Sequence, residues 1–279
     1  MKHILRTMGN ILLILFSCAW LFPLYVVVVN SFKNRAEMYE NVLALPQNLS
    51  FSYYTEALSR MNYLNAFKNS LLVTVFSCIF IVLFASMCAW MITRSNGKFS
   101  KFLYGFFVAT MLIPFQTVMM PLMQEMNWIK SITGIAIKNT LGGLVFMYIG
   151  FGAPMAVFLY SGFVKSIPLA LEEAALIDGC NQGGIFFKIV FPLLKSTTMT
   201  VIILDVIWIW NDYLLPALTL TSPGNRTIPL STFSFFGNFK VEWSLAMAGL
   251  TLTIIPVVVF YLCAQESIVK GVVSGAVKG

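Results

Sequence analysis

The sequence contains one histidine and five cysteines, and that scarcity excludes several chemistries. His3 stands alone, so neither a Ser-His or Cys-His catalytic pair nor an H-E-x-x-H zinc motif can be built. Cys18, Cys78, Cys88 and Cys263 lie inside apolar runs, only Cys180 falls in a polar loop, and no two are spaced C-x-x-C. Neither a disulfide framework nor a metal site is expected. The P-loop pattern G-x-x-x-x-G-K-[ST] is absent, so the chain is not expected to hydrolyse ATP. Charge is scarce as well: 10% of residues are charged, against roughly 25% in an ordinary soluble domain. With 58% hydrophobic residues, this excludes a soluble globule. The net charge of +7 comes from Lys and Arg scattered singly, with no basic run to hold nucleic acid. Positive charge flanking membrane spans is the simpler account.

What the chain does have is apolar length. A bilayer crossing needs roughly 20 apolar residues, and a charge at the centre of a span costs about 2.5 to 3.5 kcal/mol on insertion scales. Six low-charge stretches satisfy both conditions: residues 9–32, 69–93, 102–124, 139–164, 196–220 and 243–265. Only the fifth carries acids, Asp205 and Asp212. The expected architecture is all-α, a single polytopic membrane domain over 1–279 with six transmembrane helices. Lys2 and Arg6 before Leu15-Phe16-Ser17-Cys18 imitate a lipoprotein signal, but the apolar run continues to Val29, which favours an uncleaved anchor. With the N-terminus inside, basic residues are slightly more numerous on the inner side. Arg94, Lys98 and Lys101 crowd one short inner loop, where the positive-inside rule carries most weight.

Three connections are long. In the outer segment 33–68, a Pro46-Gln47-Asn48 turn leads into a short helical pattern from Phe51 to Leu58. In the outer segment 221–242, Phe233, Phe235, Phe236 and Phe239 suit either the interfacial aromatic belt or an external partner. The inner segment 165–195 carries the most information. Pro168 suits the start of a helix, Glu172 and Glu173 follow near its first turn, and Gly179 is a natural stop. The result is a helix of about three turns. Ala170, Ala174 and Ala175 leave one face nearly bare, and Glu173 offers a charge. Such a helix fits either a docking knob for another protein or an amphipathic helix lying on the membrane.

The spacing Glu173-Ala174-Ala175, Gly179, Ile189, Phe191 and Pro192 resembles the EAA signature of inner-membrane permeases of bacterial ABC importers, with Phe191 where that pattern usually has Leu. The neighbouring Ala175-Leu176-Ile177-Asp178-Gly179, together with Asn69-Ser70-Leu71 and Trp210-Asn211-Asp212-Tyr213-Leu214-Leu215-Pro216, resembles the carbohydrate-importing branch. So does the tail from Gly271 to Gly279. The likeness covers nearly the whole chain and is nearest to the maltose-type second permease subunit. It implies the type I ABC importer permease fold and a chain that forms half of a sugar pathway in the bacterial cytoplasmic membrane, with both termini cytoplasmic. It also implies a second, homologous permease, two ATPase subunits that hold ATP and Mg, and an extracytoplasmic sugar-binding protein. Membrane lipid surrounds the spans, and the chain itself needs no cofactor. On this resemblance the coupling helix, about 167–180 within the loop 167–192, rests in an ATPase cleft. Glu173 would pair with a basic residue there, Ala174 and Ala175 would allow close packing, and Gly179 would allow the turn. Asp178, Ile189 and Pro192 complete the coupling set, and the tail would reach toward the ATPase pair.

Polar residues within a span are expensive and face a cavity or a partner by default. The segment from Trp208 to Tyr213, with Trp210, Asn211, Asp212 and Tyr213 at its centre, offers ring faces to a sugar and, through Asn211 and Asp212, hydrogen bonds to its hydroxyls, and equally to neighbouring helices. Asp205 either pairs with the partner permease or touches solute. Two other classes are weighed against an importer subunit. A membrane enzyme would need a catalytic cluster, yet Asp205 and Asp212 lie seven residues apart on one helix, about 10.5 Å along its axis. An ion-coupled carrier would fit six spans and two acids but would dispense with the docking knob.

Overall fold

The computed structural model describes the backbone of residues 2–95, 97–237 and 241–276, and side chains within 6–95, 97–237 and 241–265. In chain order the helices are α1 (Lys2–Asn30), α2 (Arg35–Glu40), α3 (Ser52–Arg60), α4 (Tyr63–Arg94), α5 (Lys98–Thr110), α6 (Phe115–Thr133) and α7 (Leu141–Val164). They continue as α8 (Leu169–Ile177), α9 (Gln182–Ile185), α10 (Phe191–Leu193), α11 (Lys195–Asn211), α12 (Leu214–Thr219), α13 (Ile228–Thr232) and α14 (Trp243–Ala276). A π-helical turn, Phe186–Val190, joins α9 to α10. Among the described residues the only β pairing is an isolated bridge between Phe236 and Val241.

Among the described residues, four helices are long and apolar enough to cross a bilayer unbroken: Arg6–Asn30, Tyr63–Arg94, Leu141–Val164 and Trp243–Gln265. At 1.5 Å per residue the 24 residues of α7 reach about 36 Å, more than the roughly 30 Å hydrocarbon core. Two further candidate spans are bent pairs: α5 with α6 at 109°, and Gln182–Leu193 with α11 at 75°. The count of six therefore holds only if each bent pair is one span.

The boundaries correct the sequence reading in two places. The stretch 102–124 is not one helix. It breaks after Thr110, and α6 begins at Phe115 behind Pro114, which sits extended at φ −62°, ψ 136°. Proline has no N–H to continue the ladder and disfavours α geometry in the residue before it. The stretch 196–220 also breaks, because α11 ends at Asn211 and Asp212 turns to ψ 127° before α12.

The chain divides into two compact units, one formed by Met1–Ala66 with Ile228–Val258, the other by Phe67–Thr227 with Val259–Gly279. In the first unit the part of the 33–68 segment up to Ala66 is tied down by polar side chains. Asn34 caps α2 by accepting from the Glu37 N–H, and its amide donates to Glu37 Oε1. The Lys33 side chain is buried and donates to the Asn41 and Val42 carbonyls. The expected helix is α3, and Arg60 at its end pairs with Glu56 and Glu242. The aromatics of the 221–242 segment divide: Phe235 is buried, Phe233 is exposed, and Phe236 meets the Trp243 ring edge-on. Phe239 lies outside the described residues, as do residues 277–279 and the side chains of Lys2, His3 and the tail from Gly271.

In the second unit α7 is the spine, packed against α5 and α11. Gly152 allows α7 to approach α4, since a Cβ there would stand 2.5 Å from Ile81 Cδ1. At one end of this unit Asn69 donates to the Gly224 and Arg226 carbonyls, while Asn139 bonds Thr221, Ser222 and Asn225. The Asn69-Ser70-Leu71 motif thus anchors the 221–226 turn. Asn69 lies about 37 Å along α4 from Arg94 at 1.5 Å per residue.

Candidate functional site

The segment after α7 folds as a capped, projecting helix. Pro168 stands at its N-cap, extended at ψ 127°, so α8 is Leu169–Ile177 rather than 167–180. Its end is closed by three backbone bonds, Asp178 N–H to Ala174 O at 3.0 Å, Gly179 N–H to Leu176 O at 3.1 Å and Cys180 N–H to Ala175 O at 2.9 Å. Gly179 sits at φ +83°, the left-handed cap in which a Cβ is disfavoured. Asn181 caps α9 by accepting from the Gly184 N–H at 2.7 Å.

The two sides of α8 differ. Ala170, Glu173, Ala174 and Ile177 are exposed, Ile177 to 86%, and their i, i+3, i+4, i+7 spacing makes them one stripe. Asp178 and Gly179 continue this exposed surface, Ile189 is half-buried and Pro192 exposed. Glu172 and Ala175 face inward and are buried. Placing Ala175 on the bare face with Ala170 and Ala174 is therefore corrected: one step of a 3.6-residue helix turns it about 100° away.

Sequence reasoning missed Glu172. Its carboxylate accepts from Arg94 and from Trp90 Nε1, and Arg94 also donates to the Ile167 carbonyl. An acid beside the motif's own Glu gave no signal of which way it points. The 90–94 spacing of a Trp and an Arg on one helical face was the available hint.

The residues grouped as a pathway separate as well. Trp210 is buried, with its ring edge-on to Phe67 at 5.7 Å, and Asp212 is half-buried. Asp212 Oδ2 accepts from the Tyr148 hydroxyl at 2.9 Å, and Oδ1 accepts from the Leu214 N–H at 2.9 Å. This carboxylate holds the break between α11 and α12. Asn211 is exposed, its amide donating to the Ile207 carbonyl, and Tyr213 is half-buried. Trp208, at the start of the same segment, is 40% exposed beside Tyr148. Asp205 is buried and its Oδ2 makes no hydrogen bond. It lines a largely apolar cavity of about 800 Å³ with Phe106, Glu125, Phe151 and Trp208.

Similar proteins give this arrangement its context. The chain is 46% identical over 277 residues to the probable starch degradation products transport system permease protein AmyC of Thermoanaerobacterium thermosulfurigenes, covering 99% of this chain and 97% of that one. It is 34% identical over 264 residues to the melibiose/raffinose/stachyose import permease protein MelC of Bacillus subtilis, covering 94% and 93%. Its fold is similar to a chain in the crystal structure of a bacterial ABC transporter involved in the import of the acidic polysaccharide alginate. That likeness has a TM-score of 0.80 and 20% identity over 95% and 96% of the two chains. Residues 81–274 match the family model of the binding-protein-dependent transport system inner membrane component. With apolar helices long enough to cross a bilayer and a match over most of its length, the chain belongs to the family of inner-membrane components of binding-protein-dependent transport systems.

Proposed function

We propose that this chain is one permease subunit of an ATP-driven importer for a neutral sugar or oligosaccharide, working with a second, homologous permease. Two ATPase subunits on the cytoplasmic side would hold ATP and Mg, and an extracytoplasmic binding protein would deliver the solute. Both termini are then cytoplasmic. The observation that carries the coupling role is the exposed stripe of α8. Ala170 and Ala174 permit close approach, Ile177 projects as an apolar anchor, and Glu173 supplies a charge for an Arg or Lys beyond. Such a helix, closed by the left-handed Gly179, suits a cleft better than a flat lipid surface, because its exposed side mixes a charge with the apolar residues. The sugar class is supported by the names of AmyC and MelC. Asn211 and Trp208 are the exposed groups of the α11 end that would meet solute, an amide oxygen to accept a hydrogen bond and a ring face for the C–H side of a pyranose. Asp212 and Trp210 hold the helix end that presents them.

The reading is tested by expressing the chain with the products of its own operon, then identifying the proteins and glycans retained through purification. ATP-driven uptake of the retained glycan into vesicles is the expected result. Recovery of the chain alone, or uptake driven by an ion gradient without ATP, would overturn it.

A further inference from the structure

We infer that Arg94 and Glu172, with Trp90, form the rigid joint through which displacement of α8 reaches the membrane-spanning helix α4. The inference rests on the docking role proposed for α8 and extends it to residues outside the signature. Trp90 and Arg94 lie one turn apart at the end of α4, so both point from the same face. Both oxygens of Glu172 are engaged: Oε1 accepts from Arg94 Nε at 2.8 Å and lies 2.7 Å from Nη2, and Oε2 accepts from Trp90 Nε1 at 3.0 Å. The same Nη2 donates to the Ile167 carbonyl at 2.9 Å, so the guanidinium grips α8 and the strand of chain leading into it. On the far side of the loop the buried Phe186 ring lies 5.5 Å from the Trp90 ring. Both limbs of the 165–195 segment thus converge on a single turn of α4.

The chemistry suits a joint rather than a dock. Glu172 is 7% exposed and points away from the stripe Ala170, Glu173, Ala174 and Ile177, so an approaching partner meets Glu173 and not Glu172. Apolar contacts between helices can slide. A planar guanidinium forked onto a carboxylate and a carbonyl fixes distance and angle together. Without it α8 would be held by the short turn 165–168 and by packing against α9 and the π-helical turn, and could swivel with that loop when pushed. With it, α8 and the end of α4 move as one body. Arg94 and Glu172 are therefore positioning residues for the transport cycle.

The test uses the full complex with all native cysteines replaced and spin labels at positions 91 and 176, both exposed and neither in the docking stripe. Double electron–electron resonance is recorded with and without a non-hydrolysable ATP analogue, beside uptake per ATP hydrolysed in vesicles. The parent should give one narrow distance distribution, the same in both nucleotide states. Glu172→Gln should broaden it and lower uptake per ATP on the order of tenfold. Arg94→Lys keeps the charge but cannot bridge both partners, so it should do the same to a smaller degree. It also carries the test if the Gln variant is not recovered as complex. A parent distance that shifts with nucleotide, or variants that match the parent in either readout, would overturn the joint. The proposed function fails separately, by absence of ATP-driven uptake in the parent, and the distance distributions still report whether α8 and α4 are locked.

Discussion

The segment carrying α8 and the break between α11 and α12 are built by opposite rules. In the α8 segment apolar side chains are left outside, with Leu176, Ile177, Phe187 and Leu193 all more than half exposed, while an ion pair is taken inside. At the break a Trp is taken inside, and a carboxylate is used by its own chain as a cap. The contrast separates two kinds of polar residue that look alike in a sequence. Glu172 and Asp212 hold structure, while Glu173 and Asn211, their immediate neighbours, are exposed and can meet something else.

Substitutions at these neighbouring pairs should break the comparison in a graded way. Arg94→Ala leaves the Glu172 charge buried without its partner, which costs about 3 to 5 kcal/mol. The yield of assembled complex and its thermal midpoint should fall the most. Trp210→Ala should cost about 3 kcal/mol from its packing against Phe67 and leave the relative uptake of di-, tri- and tetrasaccharides unchanged. Trp208→Ala, from a half-exposed ring, should change that ratio at nearly parental yield, as measured by competitive uptake normalised to complex recovered. Gly179→Asp forces a side chain into a left-handed backbone, at about 1 kcal/mol. Glu173→Lys, at an exposed site, should stay within about 0.5 kcal/mol. Both should nonetheless abolish most uptake, so the smallest effects on stability accompany the largest on coupling.

Much of this was legible in the sequence because membrane insertion and capping are local. Apolar length and low charge marked the spans, and Pro168 and Gly179 bracketed α8 to within about two residues. The spacing from Glu173 to Pro192 named the family. Direction was not legible. One residue of helix rotates a side chain by about 100°, so two adjacent Glu residues, or Ala174 and Ala175, are indistinguishable until the partner helix is placed. The bend at Pro114 is not legible from low charge and apolar length, because neither reports a proline at a helix start. Asp205 stands out in the sequence as an intramembrane acid. Most of its neighbours in the cavity come from α5, α6 and α7, which no reading of 196–220 could supply.

Membrane sidedness sharpens the same contrast. Single cysteines at Gln182 and Asn225, in a background without native cysteines, should label from opposite faces of the membrane. The most direct test of the account places a single cysteine at position 177, the most exposed apolar residue of α8. It is probed with an impermeant maleimide in inside-out vesicles, with and without the co-expressed ATPase subunits. The docking account predicts ready labelling of the permease alone and strong protection once the ATPases are bound, with no labelling in right-side-out vesicles. Equal labelling with and without ATPases, or labelling from the outside, would contradict it.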